Sequence, residues 1–147
     1  MKYKEIIEEL PYCEPFLFVD ELFEVNDEGA YGGYTFKKEL DFYRGHFKNL
    51  PITPGVILTE CCAQIGLVCL GIYLLKEKQQ NSIMAFTSSE MEFYHPVLPG
   101  ETVEVRSEKI YFRFGKLKCR VKMISAGNKL ICKGVLSGML KSQTNEN

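Results

Sequence analysis

The mostly apolar run from Gly55 to Leu75 constrains this chain more than any other feature. It is about long enough to cross a bilayer. Glu60 and Gln64 lie inside it, however, and such groups are costly in lipid. No clear positive charge flanks its N-terminal side. The run therefore predicts a helix buried within protein. Because it is apolar nearly all round, something must wrap about it. Thr53 is expected to cap this helix, with Pro54 at the first helical position.

The remaining sequence supplies the wrapping. Residues 16–25 and 30–38 read as two strands joined at Asn26-Asp27-Glu28-Gly29, which has turn chemistry. After the helix, residues 83–94, 101–114, 116–126 and 129–141 all read as strands. Their turns fall at Pro99-Gly100, Gly115 and Gly127-Asn128. Val103, Val105 and Ile110, then Cys119, Val121 and Met123, alternate as half-buried strands do. A short charged helix is expected at 2–9, a polar break at 77–82 and a frayed tail after Lys141. The order is hairpin, one long helix, then an antiparallel meander: an α+β chain in which one sheet curls around one helix. With 147 residues, a single domain over 1–147 is expected.

Composition narrows the function. A content of 46% hydrophobic and 25% charged residues is that of a soluble globular protein. The net charge of -1 argues against nucleic acid as main partner, since phosphate binding needs a concentrated basic surface. The six cysteines form no CxxC pair, and the N-terminal MKYKEIIEELP has no apolar signal core. Both features lead to a cytoplasmic assignment with reduced thiols.

Two side chains invite a chemical reading. His46 sits in the loop 41–54, DFYRGHFKNLPITP, and a loop of that length without regular structure commonly carries function. Glu60 lies early in the apolar helix, where burial raises a carboxyl pKa and suits it to act as a general acid. An imidazole suits a general base. The Gly55 and Val56 N–H groups, at the helix N-terminus, can donate to an oxygen gaining negative charge. Together these parts fit proton abstraction next to a carbonyl with loss of a β-hydroxyl. The bland readings are a structural histidine and a Glu60 that pairs with Gln64 one helical turn on. His95 reads as a surface or packing residue, and Cys61-Cys62 as apolar packing. Metal-ligand spacing, a phosphate-binding glycine loop and a G-x-S-x-G nucleophile are all lacking, so no cofactor is expected.

Three blocks resemble the β-hydroxyacyl-(acyl carrier protein) dehydratases of the FabZ type, related to the FabA type. They are Leu10-Pro11-Tyr12-Cys13-Glu14-Pro15-Phe16-Leu17-Phe18-Val19-Asp20, then Gly45-His46-Phe47 with Pro51-Ile52-Thr53-Pro54-Gly55-Val56 and Glu60-Cys61-Cys62-Ala63-Gln64, then Met91 through Gly100. The resemblance implies a hot-dog fold, with His46 and Glu60 as the catalytic pair. It implies that Gly55 is the donor to the thioester carbonyl and that Gln64 supports the acid. Val56 and Phe47 belong to the same substrate-binding block. It further implies an active site shared across a homodimer, often within a trimer of dimers, and a substrate carried on acyl carrier protein. Lys37, Lys38, Arg44, Lys48, Lys76 and Lys78 are candidates for a basic rim facing that acidic carrier.

The chain departs from the family pattern at Tyr12-Cys13-Glu14, Cys61-Cys62 and Tyr94-His95. These departures bear on tunnel lining and carrier docking. Three alternatives stay open: a hot-dog thioesterase, an (R)-specific enoyl-CoA hydratase, and a non-catalytic or heteromeric acyl-binding subunit.

Overall fold

The computed structural model describes residues 3–76 and 82–142. Lys78, most of the expected polar break and the tail beyond residue 142 lie outside the described residues. The element order is α1 (Tyr3–Glu8), β1 (Glu21–Asn26), β2 (Gly29–Thr35), a 3-10 turn (Asp41–Arg44), α2 (Gly55–Ala63), a π-helical turn (Gln64–Val68), α3 (Cys69–Leu75), β3 (Ser82–Phe93), β4 (Thr102–Arg113), β5 (Lys116–Ser125) and β6 (Leu130–Ser142).

One six-stranded antiparallel sheet, ordered β1-β2-β4-β5-β6-β3, curls around the helical segment in a hot-dog fold. Apart from Ile110, which is exposed where β4 shifts register against β5, the expected alternation sets its inner face. Val103 and Val105 of β4 and Leu117, Cys119, Val121 and Met123 of β5 are buried. They share one hydrophobic cluster with Ile65, Leu67, Val68, Cys69 and Leu70 of the helix. Each such aliphatic side chain contributes about 1.5–3 kcal/mol when fully buried. The run Gly55–Leu75 is thus the buried centre of the fold. Gly66 permits the close approach: a Cβ there would lie 3.0 Å from Val121 Cγ1.

Four local expectations differ from the structure. The strand expected at 16–25 begins only at Glu21. Ahead of it, the Phe18 N–H is taken by the Gln64 side chain instead of a neighbouring strand. The strand expected at 30–38 ends at Thr35, and Phe36 turns to bond the Glu101 carbonyl. The helix is not uniform, because the Cys69 N–H reaches back five residues to the Gln64 carbonyl. Thr53 does not cap α2: Pro54 occupies the cap position, and the Thr53 hydroxyl pairs with Tyr43.

Gln64 joins the helix to the chain entering the sheet. It is fully buried. Its Oε1 accepts from the Phe18 N–H at 2.7 Å, and its Nε2 donates to the Phe16 carbonyl at 3.0 Å. Gln64→Leu would strand both backbone groups, each costing about 1–3 kcal/mol. We expect urea unfolding of that variant to show a loss of about 2–4 kcal/mol of stability. An unchanged urea midpoint would contradict this role.

Candidate active site

The loop between β2 and α2 presents His46. The 3-10 turn ends with the Gly45 and His46 N–H groups both donating to the Phe42 carbonyl, at 3.1 and 3.0 Å. The half-buried imidazole then bonds the Ile52 carbonyl through Nδ1 at 2.9 Å. A carbonyl can only accept, so Nδ1 carries the hydrogen. In the neutral ring Nε2 is left with a free lone pair, which is the state a general base needs. Phe47 stacks on the imidazole, with 3.9 Å between ring centroids.

Glu60 lies on α2, one turn before Gln64. Its Oε2 accepts from Gln64 Nε2 at 3.0 Å, so the expected Glu60–Gln64 pairing is present. Burial pushes the Glu60 carboxyl above the usual range, and the bond from Gln64 offsets part of that shift. The same amide that bonds Phe16 therefore holds the acid in place. The sequence singled out Glu60 and Gln64 but gave no sign that backbone from residues 16–18 completes their network.

The start of α2 supplies donors. The Ile57 and Leu58 N–H groups both bond the Pro54 carbonyl, whereas those of Gly55 and Val56 have no partner among the described residues. Gly55 is half-buried and Val56 is exposed. A side chain at position 55 would meet the Phe93 ring at 3.4 Å, so glycine keeps this helix end open. Phe93, from the end of β3, falls within the third family-like block, but nothing in the sequence marks it as a neighbour of Gly55.

His46 and Glu60 share no hydrogen bond or ion pair among the described residues of one chain. A cavity of about 870 Å³ on the strands contains neither of them; among its lining residues are Tyr31, Arg106, Lys122 and Lys133. The departures from the family pattern occupy different places. Half-buried Tyr12 has its hydroxyl pKa pushed up to about 12, mainly by burial and then by the charge of Glu60. Tyr94 and His95 are exposed, bonding Glu92 and the Leu130 carbonyl respectively. Cys61 and Cys62 are fully buried, as apolar packing requires; burial raises the Cys61 thiol, and the contact with Cys132 followed by burial raises that of Cys62. No cluster of metal-binding side chains occurs among the described residues.

The chain is similar to known proteins over most of its length. The FabA-like domain matches residues 10–135. A 3-hydroxyacyl-[acyl-carrier-protein] dehydratase FabZ from Clostridium perfringens is 34% identical over 141 residues, covering 91% of this chain and 94% of that one. The FabZ of Methylobacterium sp. is 33% identical over 107 residues, 71% of this chain and 65% of the relative. Among solved structures, the dehydratase heterocomplex ApeI:P from Xenorhabdus doucetiae superposes with a TM-score of 0.80. It is 14% identical and covers 98% of this chain and 93% of that one, a likeness of fold. With the domain matched over most of its length and relatives this similar, the chain belongs to the FabA-like family.

Proposed function

We propose that the protein dehydrates (3R)-hydroxyacyl-acyl carrier protein to the trans-2-enoyl product in fatty acid or related biosynthesis. The observation that carries the reading is Glu60, a carboxyl whose pKa burial raises and which a buried amide holds on the central helix. The thioester carbonyl accepts from the Gly55 N–H at the positive end of α2. His46 Nε2 takes the α proton. The C–O bond breaks with its electron pair on oxygen, and the Glu60 proton completes water. Imidazolium and carboxylate then exchange a proton through solvent, and both groups are reset. The reaction needs no metal or redox group, and in reverse it hydrates the enoyl thioester.

The pair is completed between two copies in this reading. β3 bonds β6 on one side and has a long free edge on the other, a surface that invites strand pairing. Phe93 and Val56, both exposed, stand close by at the start of α2. A homodimer across this edge would cover them and bring His46 of one copy to Glu60 of the other, with a trimer of dimers as the larger assembly. Free thiols throughout suit a cytoplasmic enzyme.

Carrier docking is assigned to the exposed Lys37, Lys38, Arg44, Lys48 and Lys76. Other cations crowd residues 109–141, which hold nine Lys and Arg and no Asp or Glu. We expect Lys37→Glu with Lys38→Glu to raise KM about tenfold for a carrier-linked substrate at low salt while sparing a small thioester. The same selective loss with Lys118→Glu and Arg120→Glu instead would move the carrier to β5.

Mass spectrometry of hydroxyacyl-carrier substrates tests the reaction itself. Enoyl product is expected; free thiol would mean thioesterase activity. His46→Ala and Glu60→Gln should each lower kcat at least about a hundredfold, and near-normal turnover by a folded variant of either would refute the assignment. Stability supplies an independent check. The folded-state pKa of Glu60 is raised, so its contribution is fully present below the unfolded carboxylate pKa, about 4.3, and is lost as pH rises through the folded value. Glu60→Gln, permanently neutral, should flatten that part of the stability–pH curve.

A further inference from the structure

The His46 loop is held by a device that the reaction does not itself require. Residues 47–51 are all exposed, so this stretch buries little of its own. The residues bracketing the loop are buried: Tyr43 is 7% exposed and Thr53 3%. Their hydroxyls meet at 2.5 Å.

This contact lies next to the peptide plane that orients the imidazole. The Ile52–Thr53 peptide offers two groups. Its N–H donates to the Val97 carbonyl at 2.9 Å, and its carbonyl accepts from His46 Nδ1 at 2.9 Å. The Ile52 N–H in turn donates to the His46 carbonyl at 2.8 Å. Rotating that plane would break the Val97 and His46 bonds together. The Tyr43 hydroxyl holds the Thr53 side chain one bond away from it. Fixing the plane fixes which imidazole nitrogen carries hydrogen and where Nε2 points.

We propose that Tyr43 and Thr53 are positioning residues: their hydroxyl pair latches the Ile52–Thr53 peptide and so presents His46 as a base. The inference rests on the dehydratase reading for its kinetic consequence, though not for its structural one.

The test uses Tyr43→Phe, Thr53→Val, the double variant and Thr53→Ser, all in the full chain. Tyr43→Phe and Thr53→Val should each lower kcat about tenfold, the scale expected when a catalytic group is displaced by a fraction of an ångström. KM should change less than about twofold, the double variant should be no worse than the poorer single one, and Thr53→Ser should retain most of the parent kcat. The chain has only two histidines, so ring nitrogen NMR on labelled protein reads His46 directly, with His46→Ala giving the assignment. A single Nδ1–H tautomer is expected in the parent and a mixture in Tyr43→Phe and Thr53→Val. Folded variants with the parent tautomer and parent kcat would overturn the latch. So would a loss of kcat that follows the unfolded fraction while the His46 signal stays unchanged. A parent protein that leaves hydroxyacyl thioesters intact would end the dehydratase reading, and the tautomer signal would still decide the latch.

Discussion

The Gln64 amide is the contact on which the rest of the molecule depends. A carboxyl on a helix packed inside a sheet has few places to find a donor. Gln64 provides one to Glu60 and spends its remaining capacity on backbone from Phe16 and Phe18. That backbone precedes β1, the edge of the sheet, so one side chain links the acid, the helix and the strand entry. A buried polar group in this position is tolerable only when fully bonded. Among the described residues no buried side-chain oxygen or nitrogen is left without a partner.

Much of this arrangement was legible in the sequence because it follows from periodicity. The apolar run with its internal Glu60 and Gln64 reads best as a buried helix, and the alternation at 103–105 and 119–123 marks the inner face of strands, failing only at Ile110. The order of strands was legible only in part: the expected meander holds for β4, β5 and β6, but β3 pairs with β6 and not with β4. That β6 lies between β5 and β3 depends on contacts far apart in the chain, which local patterning does not encode. The start of β1 was misjudged for a related reason. Phe16, Leu17, Phe18 and Val19 have the composition of a strand, yet the bond from Phe18 goes to a side chain 46 positions away.

The candidate reactive groups show the same division. His46, Glu60, Gly55 and Gln64 stood out by residue type and by block resemblance. The groups that orient them are largely backbone atoms, as with the Ile52 carbonyl, or residues whose type says little, as with Tyr43. Thr53 illustrates the point. Its position before a helix made capping the natural expectation, but its hydroxyl found a partner across the loop instead. Local propensity sets what a residue can do, and tertiary contact chooses among those options.

The wide turn at Gln64–Val68 has a consequence of its own. Inserting a single residue into a helix advances everything beyond it by about 100° around the axis. Here the partly open residues include Gly55, Ile57, Thr59 and Glu60 before the turn and Ile72, Tyr73 and Leu74 after it. The angular offset between these two sets depends on how many residues separate them and on the wide turn that takes up one of those residues, whatever their identity. The central segment therefore obeys a rule of length as well as of composition. A one-residue deletion in the regular turns of α2 or α3 would swing the residues beyond it out of place, whereas one that closed the wide turn to a regular helix would leave α3 facing nearly as before.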